Sequence, residues 1–249
     1  MRRRTGVVAA ALALAVGLTA GCGGADDTAG KPQQPKKETA ATPATTRAPT
    51  PQAPTPAAPA TPQKDLSKAD LEKAILATGD AAGFNAGPLG APPSQGESAD
   101  KPECAPLTAV INGKPEPLAQ ASAYRQLTGA KDNRPAVSEF LTAHGVQGAA
   151  TVLSRLRTAV DACEGGFTAS GGEGSSRYKG VKALPVARVG DDAFAYQVTG
   201  DFEGLPVPLV FQVVRSGGTL ATFYTGNFEG PQTPKIPSVL LTAQTAKLR

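Results

Sequence analysis

The stretch FAYQVTGDFEGLPVPLVFQVVRSGGTLATFY, residues 194–224, decides the fold of this chain. Aromatic and β-branched or other aliphatic side chains recur at every second position in three runs: Phe194, Tyr196 and Val198; Val207, Leu209, Phe211 and Val213; Leu220, Thr222 and Tyr224. A period of two predicts β-strands, and Ser216-Gly217-Gly218 supplies a hairpin turn between the last two runs. We therefore predict an antiparallel meander in the C-terminal half of the chain.

The opposite face of this predicted sheet is also apolar. Val210 and Phe223 lie out of phase with the Phe211 set and so point to the other side. Both faces must then be covered, by helices or by a ligand. A face that helices cover only in part would leave an apolar patch that marks a binding site.

Outward from the meander, residues 146–163 give the strongest helical pattern. One apolar stripe has spacings of 4, 3, 4 and 3: Ala149, Leu153, Leu156, Val160 and Cys163. Charged residues fall off the stripe, and Gly165-Gly166 is expected to end the helix.

The remaining elements complete an α+β pattern. Ser67 and Asp70 form an N-cap box that opens a helix predicted over Asp65–Gly79. The other predicted elements are a short strand near Phe84, a short helix Glu103–Asn112, strands Ser122–Thr128, Ala136–Ala143 and Lys179–Leu184, and a closing helix Val239–Leu248 after Pro237. Helices outside a meander predict a single α+β domain with an antiparallel sheet, rather than βαβ units.

Residues 1–21 have the features of a lipoprotein signal peptide. Arg2–Arg4 precede an apolar run from Val7 to Leu18, and the small residues Thr19-Ala20-Gly21 precede Cys22. We predict that the mature chain begins at Cys22. Acyl chains such as palmitate on this cysteine would then anchor the protein to the outer face of the cell membrane, in an extracytoplasmic location.

Ordinary signal-peptide cleavage, with Cys22 a stray residue, is the competing interpretation. Small residues before the cut suit both enzymes, and Thr19 stands where a lipobox usually has leucine. Lipidation is favoured because Cys22 directly follows Gly21, because the polar spacer Gly23–Gly30 follows, and because the other two cysteines already make an even pair. A transmembrane anchor needs about 20 apolar residues, and the apolar run is shorter.

A linker separates Cys22 from the predicted folded domain. Residues 22–63 hold the lipidated cysteine and a stretch, 31–63, that is nearly all Pro, Ala, Thr, Gln and Lys. Such a composition cannot bury enough apolar surface to fold, so we predict a disordered, extended stalk. Thr-Pro repeats also resemble O-glycosylated stalks. Residues 64–249 are the predicted domain.

The charge balance argues against nucleic-acid partners. The formal net charge is +4, but Arg2–Arg4 leave with the signal peptide, and from Lys64 onward 18 basic residues face 18 acidic ones. A neutral domain has no electrostatic footprint for a phosphate backbone. Aromatic residues make up only 5% and Trp is absent, which disfavours carbohydrate- or base-stacking platforms. No cofactor is expected.

Cys104 and Cys163 are the two remaining cysteines. In an exported protein two cysteines most often pair, so we predict a Cys104–Cys163 disulfide. The alternative, a reactive thiol pair, lacks the C-x-x-C spacing that lowers a thiol pKa.

Three motifs invite a catalytic or metal-binding interpretation, and each favours a structural one. His144, the single histidine, lies at a predicted strand-to-helix turn, where a surface or capping role is usual, and no G-x-S-x-G accompanies it. Ser176-Arg177-Tyr178-Lys179 matches S-x-x-K, but S-D-N and K-T-G are missing and Ser176 falls in a predicted Gly/Ser loop. Asp191-Asp192 lacks calcium-loop spacing and predicts a polar turn. We predict no enzyme and no metal site.

Residues 65–249 resemble the PknH-like extracellular sensor domain, found on some actinobacterial receptor kinases and on kinase-free actinobacterial lipoproteins. The resemblance rests on LEKAILATGDAAGF after Ala69-Asp70, KPECAPL at 101–107, AATVLSRLRTAVDAC at 149–163, VGDDAFAY at 189–196 and VFQVVRSGGTLATFY at 210–224. Members commonly have cysteines near the positions of Cys104 and Cys163, and kinase-linked members often carry a second disulfide that this chain lacks. The resemblance implies an α+β domain with a ligand-binding cleft, and it assigns no ligand-contact residues.

These observations favour a non-catalytic, membrane-anchored lipoprotein that binds an unidentified ligand or partner at the cell envelope. The alternative is a lipid-binding or carrier lipoprotein, which would need an apolar cavity of several hundred Å³ lined by Val, Leu and Phe. A hydrolase and a purely structural wall protein are the other two hypotheses.

Overall fold

The computed structural model describes residues 65–92, 96–131, 135–172 and 174–249. The predicted signal peptide, the predicted lipidation site Cys22 and the predicted linker lie outside the described residues.

A nine-stranded antiparallel sheet organises the described part of the chain. Its strands are β1 (Phe84–Pro88), β2 (Ser98–Ala99), β3 (Ala121–Gly129), β4 (Val137–Ala143), β5 (Phe167–Gly171), β6 (Gly174–Leu184), β7 (Asp192–Phe202), β8 (Leu205–Ser216) and β9 (Thr219–Gly226). Their order across the sheet is β1-β3-β4-β9-β8-β7-β6-β5-β2, with every neighbouring pair antiparallel. The predicted α+β fold class and the C-terminal meander are confirmed.

Helices pack on both faces of the sheet. They are α1 (Lys68–Ala74), α2 (Ala105–Ile111), α3 (Gly145–Ala162) and α4 (Ser238–Lys247), with a 3-10 turn, Pro102–Cys104, before α2. Helices α2 and α3 share one hydrophobic cluster with the sheet, and α1 and α4 share another. The chain is therefore layered helix, sheet, helix, and each face has its own core.

The alternation along β8 assigns side chains to these two faces. Phe211 and Val213 join α2 and α3 on one side, which we call the disulfide face. Val210, Gln212 and Val214 point to the other side, which carries α1 and α4 and which we call the cleft face. The prediction that the Val210 side opposes the Phe211 side is confirmed.

The disulfide face is fastened by a covalent bond and by an ion pair. Cys104 and Cys163 form the predicted disulfide, with Cα atoms 5.9 Å apart and 59 residues of separation. The bond joins the start of α2 to the C-cap of α3, whose predicted apolar stripe is buried. On the polar side of α3, Arg157 holds the Asp192 carboxylate with two hydrogen bonds of 2.7 and 3.1 Å. Helix α3 is thus fixed to α2 by the disulfide and to β7 by the ion pair.

Two local predictions need correction. The first helix ends at Ala74 and not at Gly79, because Ile75 takes an extended backbone and both Ile75 and Leu76 turn into the core. The glycine-rich segment after α3 is a β5–β6 hairpin and not a loop, so Ser176 lies within a strand. Pairing along the sheet outweighs the low strand propensity of Gly and Ser there.

None of the helices in the described part of the chain has the length and apolarity that a membrane crossing requires.

Candidate functional site

A cleft of about 370 Å³ opens on the cleft face. Strands β6, β7 and β8 form its floor, and α4 and the irregular segment 227–237, which we call the strap, form its roof. Its lining is Leu184, Pro185, Ala187, Ala195, Val210, Gln212, Thr233, Pro234, Lys235, Ile236, Ser238 and Leu241. Over this part of the face, the strap and the first turn of α4 share the cover of the sheet.

Small residues create the space beneath the strap. Gln212 on β8 has one directly opposite neighbour on each adjacent strand: Ala195 on β7 and Phe223 on β9. A larger residue at position 195 would fill the volume between β7 and the strap. The walls above this floor are apolar, formed mainly by Leu184, Val210, Ile236 and Leu241. Such a lining is typical of small-molecule sites.

Gln212 is the unusual residue of this floor. Gln212 is 8% exposed, its side chain lines the cleft, and its amide makes no hydrogen bond to another described residue. The amide is not among the fully buried polar groups that lack a partner, so it is open to the solvent that fills the cleft. Because Gln212 lines the cleft, a bound molecule can supply the missing partner from inside it.

The strap is tied to the sheet and is rich in proline. The Thr233 hydroxyl donates a 2.6 Å hydrogen bond to Gln197 Oε1, and Gln197 Nε2 donates to Thr199 Oγ1 at 3.0 Å. Prolines recur at every third position: Pro231, Pro234 and Pro237. Proline fixes its own φ and restricts the residue before it, so the roof is stiff.

The electrostatics of the cleft favour anions. Lys235 is exposed at its rim, and Lys182, also exposed, lies on the cleft face opposite Gln197. Neither lysine makes an ion pair within the described residues. Across the same part of the chain, no acidic side chain lines the cleft.

A second buried polar group lies on the cleft face, beneath α1 and α4. Glu139 on β4 is fully buried, and neither carboxyl oxygen has a well-formed hydrogen bond within the described residues. Burial raises the pKa of Glu139 to about 8, against the opposing effects of the Leu76 backbone N–H and of the Lys247 and Arg125 charges. The side chain is therefore a neutral acid at pH 7.

Helix α4 is held over Glu139 by α1. The Gln244 amide donates to the Ala74 carbonyl at 3.1 Å, and Lys247 Nζ donates to the Ile75 carbonyl at 2.9 Å. Lys247 also pairs with Asp80, and this hydrogen bond lowers the pKa of the Asp80 carboxyl. Gln244 Oε1 is buried without a partner among the described residues. Hydrogen bonds from α4 to the end of α1 thus cover two side chains, Glu139 and Gln244, that have buried atoms without a partner among the described residues.

A larger depression, of about 420 Å³, lies on the other side of the molecule between α2 and α3. Its charged lining residues, Glu103, Glu116 and Arg155, are all exposed. Solvent already satisfies such groups, so they do not require a ligand. The cleft is the better candidate site, because its lining is mostly apolar and places the amide of Gln212 on its floor.

His144 is buried, which corrects the expectation of a surface position. It occupies the N-cap position of α3, but its side chain does not cap the helix. Nδ1 donates to the Pro117 carbonyl at 2.8 Å, so in the neutral ring Nε2 accepts from the Thr142 hydroxyl at 2.9 Å. Burial lowers the His144 pKa, more than the Pro117 contact raises it. Both ring nitrogens serve the structure.

The S-x-x-K residues are not brought together. The Ser176 hydroxyl donates to Glu97 at 2.7 Å, whereas Lys179 Nζ lies 3.1 Å from the Asp201 carboxylate. Each residue has a different structural partner, so the lysine is not placed to activate the serine.

The Asp191-Asp192 pair forms the polar turn that the sequence predicts. Asp191 Oδ2 accepts the Gly217 N–H at 2.7 Å, and the Arg157 hydrogen bonds to Asp192 lower the pKa of its carboxyl. In the part of the chain that is described, no group of three or more His, Cys, Asp or Glu residues could hold a metal ion.

Sequence reasoning missed Gln212 and Glu139. Each is a polar residue at an inward position of a strand whose neighbours on that face are apolar: Val210 and Val214 around Gln212, and Val137 and Leu141 around Glu139. The sequence could have revealed both residues, because each is a polar residue at a position where the alternation of the strand predicts an apolar one.

The described part of the chain is an antiparallel α+β domain, and its cleft is an apolar site large enough for a small ligand. No family model and no curated protein sequence matches the chain. Among solved structures, it is similar to the extracellular domain of PknH from Mycobacterium tuberculosis, at 9% identity and a TM-score of 0.47, over 74% of this chain and 95% of that one.

Proposed function

We propose that the protein is a non-catalytic, lipid-anchored extracytoplasmic protein that binds a small ligand in the cleft. The observation that carries this proposal is the Gln212 amide, which has no protein partner among the described residues and lines a mostly apolar cleft that is open on one side. The export-type N-terminus and the disulfide support an extracytoplasmic location, since disulfides persist in oxidising compartments.

A binding function accounts for the polar residues better than catalysis does. His144, Ser176 and Lys179 each have structural partners, whereas Gln212 has none among the described residues. An amide can orient a ligand through hydrogen bonds but is a poor general base or nucleophile.

Lipid binding is the second candidate function, favoured by the apolar walls. The cavity volume limits it: about 370 Å³ is near the lower end of the 300–1,000 Å³ typical of small-molecule pockets. A single short chain therefore fits this cleft better than a two-chain lipid.

The test is to identify what co-purifies with the full exported protein. We expect mass spectrometry of the extracted small molecules to find a compound with the wild type that Ala195→Leu depletes, because leucine fills the floor. Ala183→Leu is the matched control, since Ala183 is exposed on the adjacent strand, directly opposite Tyr196 on the other face. His144→Ala and Ser176→Ala should also retain the compound.

Equal recovery from Ala195→Leu and wild type would exclude the cleft as the site. A hydrolytic activity on an envelope substrate that disappears in His144→Ala or Ser176→Ala would instead favour the enzyme hypothesis.

Anchoring is tested separately, with Cys22→Ala. We expect this variant to leave the membrane fraction, because stable anchoring depends on the acyl chains. Retention of the variant on membranes as firmly as the wild type would contradict lipidation at this residue.

A further inference from the structure

We infer that the ligand of the cleft is a compact amphiphilic carboxylate, with an acyl chain or ring of about a dozen non-hydrogen atoms. This inference rests on the proposed binding function and adds the chemical class of the ligand. Its support is the size of the cavity, the pattern of free hydrogen-bonding groups in its lining, and the sign of the nearby charges.

The cavity volume sets the size of the ligand. A water molecule occupies about 30 Å³ of liquid, so a cavity of about 370 Å³ has room for about twelve groups of that size. A chain of about ten carbons with a carboxyl group meets this limit. A longer chain would have to leave through the mouth or lift the strap.

The walls specify an apolar body. Leu184, Val210, Ile236 and Leu241 come from β6, β8, the strap and α4, so they surround the cavity from several sides. Apolar area buried against them contributes about 25 cal/mol per Å². Most of the ligand must then be hydrocarbon.

The free polar groups of the lining specify the head group. The Thr233 hydroxyl is used in its hydrogen bond to Gln197, which leaves the Gln212 amide, the Ser238 hydroxyl and the Lys235 ammonium. Each of these three can donate a hydrogen bond, and lysine can only donate. An acceptor-only head group matches them, and a carboxylate offers several acceptor sites.

The charges around the mouth have the sign that a carboxylate requires. Lys235 lines the cleft and is free of ion pairs among the described residues, as is Lys182, which lies outside the lining on the same face of β6 as Leu184. No acidic side chain of those residues lines the cleft. Hydrogen bonds to an ionised group are about twice as strong as neutral ones. A cationic head group would be repelled by Lys235 at the rim, and the side chains of the lining would offer it only neutral acceptors.

The experiment compares three ten-carbon probes that differ in head group. Decanoate, decan-1-ol and decyltrimethylammonium are titrated calorimetrically, below micelle-forming concentrations, into full-length protein freed of co-purified compounds. We expect decanoate to bind at least tenfold more tightly than decan-1-ol, and decyltrimethylammonium not to bind. Hexadecanoate should bind no more tightly than decanoate, because its extra carbons exceed the cavity.

Variants locate the two parts of the site. Gln212→Leu should weaken decanoate about tenfold, the equivalent of one lost charge-assisted hydrogen bond. Lys235→Gln should weaken it a few-fold at low salt and less at high salt, because rim charges are screened. Gln147→Leu and Lys131→Gln are the matched controls, since both residues are exposed and lie outside the cleft lining.

Several results would overturn the inference. Decan-1-ol or decyltrimethylammonium binding as tightly as decanoate, with loss in Ala195→Leu, would leave the cleft as a site but exclude a carboxylate class. Decanoate binding that Ala195→Leu leaves unchanged would place it elsewhere. Failure of all three probes to bind would also contradict the inference. The proposed function would then be decided separately, by whether Ala195→Leu depletes the co-purified compound.

Discussion

The two faces of the sheet are built in different ways. On the disulfide face, the Cys104–Cys163 bond and the apolar stripe of α3 close a core that includes an aromatic stack of Phe194, Tyr196, Phe211 and Tyr224, with successive centroids 4.8–5.8 Å apart. On the cleft face, a proline-rich strap beside α4 covers part of the sheet and leaves an open cleft. Buried side-chain atoms without a partner among the described residues occur on both faces: Glu139 and Gln244 on the cleft face, Tyr196 and Thr108 on the disulfide face.

This difference indicates a division of labour. The disulfide face is cross-linked and filled by a helix stripe and an aromatic stack. The cleft face can then retain an open cavity, at a cost in stability that the whole domain tolerates.

Removing the disulfide should give the largest effect. The paired variant Cys104→Ala, Cys163→Ala frees a loop of about 60 residues in the unfolded chain, which lowers the free energy of unfolding by about 4 kcal/mol. Denaturant unfolding of the exported protein measures this loss, and Cys22→Ala is the control, since Cys22 is not part of the bridge. A loss below about 1 kcal/mol would contradict a stabilising role for the disulfide face.

Glu139→Gln should give the next largest effect, in the opposite direction. Because folding raises the Glu139 pKa to about 8, the folded state holds a proton that the unfolded state releases above its ordinary pKa of 4.5. The contribution of the Glu139 proton to the free energy of unfolding is therefore fully present below about pH 4.5, and it is lost as the pH rises through about 8. Glutamine removes this loss, so the variant should gain about 3 kcal/mol at pH 7 and little at pH 4.

The pH profile provides the check on Glu139. Wild-type stability should contain a component that falls between pH 4.5 and 8 and that Glu139→Gln abolishes. Glu103→Gln is the matched control, because Glu103 is exposed, and it should leave the profile unchanged. If the free energy of unfolding depends on pH in the same way in Glu139→Gln and Glu103→Gln, ionisation of Glu139 does not destabilise the folded protein.

Tyr196→Phe should give the smallest effect and sharpens the comparison between faces. The Tyr196 hydroxyl is buried without a partner among the described residues, and burial raises its pKa far above neutrality. Removing the hydroxyl should change the free energy of unfolding by 0 to about +1 kcal/mol, equally at pH 5 and pH 8. A loss of more than about 1 kcal/mol would reveal a hydrogen bond on the disulfide face.

The sequence contained most of the fold and little of the site. Period-two alternation from Phe194 to Tyr224 and the apolar stripe of α3 depend on local patterns, so the meander, the helix and the disulfide were predictable. The β5–β6 hairpin was not, because half of the residues from 165 to 174 are glycine, and the two strands pair with the distant β2 and β7.

The cleft was predictable only in outline. Val210 and Phe223 indicated a second apolar face, but Phe223 is covered by helices and Val210 lines the cavity. Which of the two remained accessible depends on where α4 and the strap lie. Gln212 alone does not signal a site, since an inward glutamine is often paired, as Gln197 is with Thr233.

The most direct test of the central claim, that the cleft face binds the ligand, is NMR of the glutamine side-chain amides. The compounds extracted from the purified protein are added back to ligand-free full-length protein, with the Gln212 amide assigned through Gln212→Leu. We predict that the Gln212 amide resonances shift, because the bound molecule supplies its missing hydrogen-bond partner, while those of Gln147 on α3 stay in place. Shifts at Gln147 and around Arg155, with Gln212 unchanged, would contradict this account.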